Sequence, residues 1–180
     1  MNVQRLYQEK LTSPKQAVKL VQNGDWVDYS QTCSFPEALD EALAERCGEL
    51  HDVKIRGAIA MKPIQVVERD TEHQSFTYHA WHCSSLDRQY VEKGWAYHIP
   101  MLFRDCGAYY AKGLAPVDVA MISVPPMDKN GYFSFSLTNC CMQEMLDAAK
   151  HIVLEVNEHL PVIYGMECDH IHISQVDYVV

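Results

Sequence analysis

The sequence has no run of basic residues, no Cys-x-x-Cys pair, no multi-glycine loop and no apolar stretch near the roughly 18 residues that a membrane-spanning helix needs. Each absence removes a class of function. With 15 Lys and Arg against 24 Asp and Glu, and a formal net charge of -9, nothing offers a phosphate backbone its electrostatic footprint, so nucleic acid is not an expected partner. The segment Met1 to Lys10 is polar and of mixed charge, unlike a charged-then-apolar leader. No membrane association is expected, and the cytoplasm is the expected compartment. Seven cysteines are an odd number without zinc-ribbon or thioredoxin-like spacing, which fits reduced thiols better than a disulfide scaffold. Repeats, low-complexity tracts and Pro/Gly/Ser linkers are also missing, so the 180 residues read as one domain.

What is present is short, regular punctuation. Ser13-Pro14 starts a helix carrying Ala17, Val18 and Val21, and Asn23-Gly24 stops it. Asp25 to Ser30 reads as a strand. Ser34-Phe35-Pro36-Glu37 then repeats the cap-and-proline signal before a helix with Leu39, Ala42 and Leu43 that ends at Gly48. Val53 to Ala60 and Phe76 to Trp81 are strand-like, and Leu86 to Lys93 is a helix closed by Gly94. Val117 to Pro125 is nearly all apolar, as expected of a strand covered on both faces in a parallel sheet. Asn139 is placed to cap a helix through Lys150, and His151 to Val156, Val162 to Tyr164 and Ile171 to Val180 are again strand-like. Alternating strands and helices predict an α/β fold with a mostly parallel sheet and helices on both faces. Ligands of such sheets bind at the carboxyl ends of the strands. Here that means the loops Gln31 to Pro36, Gly57 to Pro63, Trp81 to Ser85 and Pro125 to Gly131.

Four constellations invite chemistry. His79, His82 and Cys83 are zinc-ligand types, but a fourth ligand is not apparent: Cys140 and Cys141 are adjacent, while His170 and His172 only share a strand face. Pocket or core positions are the simpler reading, and no metal is expected. Cys33 precedes a capped helix, where a thiol could act as a nucleophile if a histidine lay beside it. Gly57-Ala58 is too poor in glycine for a nucleotide-phosphate loop, yet small residues there would let backbone N–H groups face an oxyanion. Met127-Asp128-Lys129-Asn130-Gly131 is explained as a turn, and Lys15, Lys19, Glu37, Asp40, Glu41 and Glu45 as solvated helix faces.

Taken together, collinear segments across the chain resemble the N-terminal half of the acetyl-CoA hydrolase/transferase family, in particular its butyrate and 4-hydroxybutyrate CoA-transferase branch. They include Gly24 to Tyr29 with Pro36, Val53 to Gly57, Trp81 to Ser84 and Pro116 to Ala120. Met127 to Phe133, Ala148 to Glu158 and Ile171 to Asp177 complete the set. The segment Tyr29 to Phe35 departs from the family in having less glycine, and the loop after Gly57 reads Ala58-Ile59-Ala60-Met61.

The resemblance implies transfer of CoA, as a substrate, between an acyl-CoA and a short-chain carboxylate, through a glutamyl-CoA thioester. It also implies chains at least about twice this long, working as homo-oligomers, with dimers expected. The nucleophilic glutamate would then lie beyond Val180 in a C-terminal catalytic domain, leaving residues 1–180 as an N-terminal domain that is inactive alone. On this reading Gln31, Thr32, Cys33, Ser34, Gly57, Ala58, His82 and Met127 line one side of the acyl and carboxylate site, while Glu37, Glu155 and Glu158 are not nucleophiles. An acyl-CoA thioester hydrolase using Cys33, or a non-catalytic acyl-CoA-binding module, are the alternatives.

Overall fold

The computed structural model describes residues 2–165 and 168–180. In chain order the helices are α1 (Val3–Lys10), α2 (Pro14–Ala17), α3 (Glu37–Ala44), α4 (Gln65–Arg69), α5 (Ser85–Glu92), α6 (Cys106–Ala111) and α7 (Met142–Ala148). The strands are β1 (Trp26–Tyr29), β2 (Val53–Gly57), β3 (Phe76–Ala80), β4 (Ala96–His98), β5 (Val117–Val124), β6 (Tyr132–Ser134), β7 (Ala149–Val156), β8 (His170–His172) and β9 (Tyr178–Val179). Seven strands form one sheet in the order β4-β3-β2-β1-β5-β7-β9, with every neighbouring pair parallel. The remaining two, β6 and β8, make a separate antiparallel ribbon.

Side-chain alternation along the strands sorts the core into two layers. Val27, Ile55, Met121 and Val153 face α2, α3, α4 and α5, whereas Ala120, Ile122, Val124 and Leu154 face α6 and α7, with α1 packing behind. Both faces of β5 are therefore buried, which is why its sequence lacks the apolar-polar alternation of a half-exposed strand. Each fully buried leucine or isoleucine in these layers contributes about 1.5–3 kcal/mol. The chain winds outward in one direction from β1 to β4 and in the other from β5 to β9. The strand order thus reverses between β1 and β5, and in open α/β sheets that point is where a crevice forms.

Several local expectations need correction. Ser34 does not cap α3: Pro36 occupies the cap position, and the carboxylate of Glu155 on β7 accepts from the Leu39 N–H at 2.9 Å. Asp40 is not a solvated residue of α3. It is 1% exposed and accepts the N–H groups of Gln65 (2.6 Å) and Val66 (3.3 Å), supplying the first turn of α4 with an acceptor that the local sequence lacks.

The last helix starts at Met142 rather than after Asn139, and it stops at Ala148 because Ala149 and Lys150 already belong to β7. Val162 to Tyr164 form no strand. They follow Pro161 and are held beside β6 by a side chain instead of a ladder, the Ser134 hydroxyl donating to the Ile163 carbonyl at 2.9 Å. The run Ile171 to Val180 is split by a 3-10 turn at Ile173–Gln175, which passes the chain from the ribbon into the main sheet. The sequence reading lacks helices α1, α4 and α6 and strands β4 and β6; α4, α6, β4 and β6 are three to six residues long, too short to show a period, whereas α1 is an amphipathic helix of eight residues capped by Asn2. No helix among the described residues is long and apolar enough to cross a membrane.

Candidate functional site

Three of the four loops singled out from sequence are joined at the carboxyl ends of β1, β2 and β3. The Thr32 N–H reaches the Ala58 carbonyl at 3.4 Å, the Trp81 N–H donates to Gly57 O at 2.9 Å, and the Ile59 N–H donates to His82 O at 2.9 Å. Beneath them Asp87 acts as a fastener. Its buried carboxylate accepts the Ala60 N–H (2.9 Å), the Ser84 N–H (2.7 Å) and the Tyr78 hydroxyl (3.0 Å), so one side chain ties the β2 loop to the capping box of α5. Gly57 packs closely here: a Cβ would lie 3.1 Å from the Tyr78 hydroxyl, tighter than an ordinary contact.

Two small cavities open among these loops, on either side of Trp81. One, of about 30 Å³, is lined by Gln31, Ala58, Trp81, His82, Phe103 and Cys106, and the other, of about 20 Å³, by Ser30, Gln31, Trp81, Tyr110, Thr138 and Cys141. Each holds on the order of one water molecule, whereas a site that encloses a ligand has about 300–1,000 Å³. Neither cavity is large enough to enclose a ligand by itself.

The loops stand on a buried charged cluster. Arg56 Nε and Asp28 Oδ1 are 3.1 Å apart, with side chains 3% and 1% exposed. Their alignment is too oblique for a hydrogen bond, so the contact is chiefly Coulombic. Arg56 Nη2 donates to Pro116 O at 2.6 Å, and its guanidinium lies 4.5 Å from the Trp26 ring centroid, 5.4 Å from Trp81 and 5.6 Å from Tyr110. Tyr110 donates to Asp28 Oδ2 at 2.6 Å and accepts from the Trp81 indole N–H at 3.1 Å. Burial raises the Asp28 carboxyl to about 6, although Arg56 and the Tyr110 hydroxyl pull it down. Trp81 is thus fixed from below by a hydrogen bond as well as by packing.

The residues expected from sequence separate into groups. Gln31, Ala58 and His82 line the cavities. Thr32 and Cys33 sit at the rim, where the Thr138 hydroxyl is 2.7 Å from Thr32 Oγ1 and 3.3 Å from Cys33 Sγ. Ser34 turns inward, fully buried with an unpartnered hydroxyl, and Gly57 lies below the loops against Tyr78. Met127 is partly buried against the hydrophobic cluster that includes Ala58 and the residues of β5, and it lines neither cavity. The sequence reading places Trp81 at the start of one of the four loops but does not bring Cys106, Tyr110, Thr138 or Cys141 here, because these come from α6 and the turn before α7, which no short-range pattern links to β1.

The other candidate chemistries have structural explanations. The side-chain partners of Cys33 among the described residues are threonines, and the N-terminus of α3 beyond it is occupied by Glu155. The His79 ring centroid lies 5.0 Å from that of Trp26 and 5.4 Å from that of Tyr97. Burial, aided by Arg56 and Lys54, lowers this imidazole to about 4 and keeps it neutral. Glu37 pairs with Lys62 at the surface.

Comparison with known proteins agrees with this architecture. The family model of the acetyl-CoA hydrolase/transferase N-terminal domain matches residues 1–180. The butyryl-CoA:acetate CoA-transferase of Anaerostipes caccae is 38% identical over 180 residues, all of this chain and 40% of that protein. A probable butyrate:acetyl-CoA coenzyme A-transferase of Syntrophomonas wolfei is 40% identical over 176 residues, 97% of this chain and 39% of its own length. The crystal structure of RipA from Yersinia pestis superposes with a TM-score of 0.88 at 28% identity, covering 99% of this chain and 43% of that one. The chain spans about two fifths of the length of the curated relatives it matches. The chain belongs to the acetyl-CoA hydrolase/transferase family, to whose N-terminal domain it corresponds from end to end.

Proposed function

We propose that these residues are the N-terminal half of a CoA-transferase that moves CoA between an acyl-CoA (acetyl-, butyryl- or 4-hydroxybutyryl-CoA) and a free carboxylate. The observation that carries this reading is the end-to-end family match, with two CoA-transferases near 40% identity. The site geometry supports it: the cavities form an open wall at the strand-order reversal, as expected if a second half closes over it.

In this mechanism a glutamate on the polypeptide beyond Val180 attacks the thioester carbonyl and CoA leaves as a thiolate. The thiolate then attacks the resulting acyl-glutamyl anhydride, releasing the first carboxylate and leaving a glutamyl-CoA thioester. The second carboxylate reverses these steps. Gln31, Thr32, Cys33, Ala58 and His82 contact the acyl and carboxylate groups from this half, with Trp81 as the rigid surface between the two cavities. Ser34, Gly57 and Met127 contribute by shaping the loops. With a net charge of -9 on these 180 residues, the main cationic contacts to the CoA phosphates fall on the other half.

The test is exchange of label between acetyl-CoA and butyrate. A polypeptide extended to the length of the relatives turns over, and the 180-residue chain alone does not. Turnover by the short chain would overturn the assignment of the nucleophile to the other half.

A further inference from the structure

We propose that Cys106 and Cys141 are a modification site: a dithiol that a small hydroperoxide converts into a reversible intrachain disulfide beside the substrate wall. Cys106 opens α6 and Cys141 immediately precedes α7, 35 positions later, and their sulfurs lie 2.9 Å apart. That separation is within about 0.9 Å of a disulfide bond length. It is the one sulfur–sulfur contact among the described residues, the cysteines at 33, 47, 83, 140 and 168 having none.

Both thiols are largely buried, at 4% and 9% exposure, yet each reaches a different opening. Cys106 lines the cavity with Gln31, Ala58 and His82, and Cys141 lines the one with Ser30 and Thr138. A molecule the size of hydrogen peroxide fits where an acyl chain does not. The Cys106 thiol is also lowered below the ordinary thiol range, chiefly by the hydrogen bond it shares with Cys141.

The chemistry balances. The Cys106 thiolate attacks one oxygen of hydrogen peroxide, the O–O bond breaks, and the leaving hydroxide takes up a proton to become water. The product is a Cys106 sulfenic acid. The Cys141 sulfur then attacks the Cys106 sulfur, an S–S bond forms, the S–O bond breaks, and the hydroxyl departs with the Cys141 proton as a second water. Two thiols lose two electrons and one peroxide gains them. The bond ties α6 to the start of α7, the two elements that supply Tyr110, Cys141 and Met142 to the wall. An external dithiol restores the reduced form by exchange.

The test uses the wild-type protein treated with hydrogen peroxide, alkylated under denaturing conditions and mapped by mass spectrometry. The expected product is a linked pair of peptides carrying Cys106 and Cys141, about 2 Da lighter than the two free thiols together. It disappears with dithiothreitol and is absent from Cys141→Ser. The oxidised wild type also melts at a higher temperature than the reduced form, a difference that Cys106→Ser abolishes and Cys33→Ser preserves. Full alkylation of Cys106 and Cys141 after peroxide would overturn the proposal, as would linkage of either to another cysteine. Because the peptide map is made on the wild type, neither result depends on a variant folding.

Discussion

Arg56 and Asp28 face each other across β2 and β1 at 3.1 Å, sealed beneath the loops by Trp26, Trp81 and Tyr110. Removing one partner strands the other charge in a dry site. Arg56→Met is therefore expected to cost about 3–5 kcal/mol. The double variant Arg56→Met with Asp28→Asn should cost less than that single change, since no unpaired charge remains. Urea denaturation of the two variants checks the order.

A second buried carboxyl gives a pH signature. Burial raises Asp40 from its ordinary 3.8 to about 7, against the pull of the Gln65 and Val66 N–H groups and the Tyr29 hydroxyl. The folded protein thus keeps a proton that the unfolded chain has already released. The stabilisation from this group is complete below about pH 3.8 and is lost as the pH rises through about 7. Melting temperature measured across that window should fall more steeply in the wild type than in Asp40→Asn, whose amide oxygen still accepts from α4. Equal slopes would show that Asp40 titrates elsewhere.

The packing of Gly57 against Tyr78 predicts a coupled pair. Gly57→Ala places a methyl group 3.1 Å from the Tyr78 hydroxyl and is expected to cost about 1–3 kcal/mol as overpacking. In a Tyr78→Phe background the clashing oxygen is gone and the cost shrinks. A double-mutant cycle measures the difference, and strict additivity would refute the contact.

How much of this was legible beforehand depends on the range of the interaction. The β5 run, the Gly94 stop and the Ser13-Pro14 start are written within a few residues, and they lead to a parallel α/β sheet. Asp40, Glu155 and Tyr110 were opaque, because each acts on an element distant in sequence: Asp40 on α4, Glu155 on α3 and Tyr110 on β1. Local polarity made the first a surface residue, and only the register of β5 with β7 brings Glu155 to the start of α3. The same limit hid the contributions of α6 and the turn before α7, while Gln31, Ala58 and His82 lie together beside the cavities because strand ends are local features.

The exchange of capping roles is directly testable. Glu155→Ala should destabilise by about 1–2 kcal/mol by leaving the first N–H groups of α3 without an acceptor. Ser34→Ala, which removes only an unpartnered buried hydroxyl, should be neutral or stabilising. Thermal denaturation that ranked the two variants the other way would reinstate Ser34 as the cap.

The central claim is that acyl-CoA binds against the loops that follow β1, β2 and β3. Hydrogen exchange of a polypeptide extended to the relatives' length, with and without butyryl-CoA, tests it most directly. The account predicts slowed exchange at residues 31–34, 58–61 and 81–83. Protection confined to the β6/β8 ribbon and the residues beside it, around Tyr132, Ile163 and His170, would contradict it.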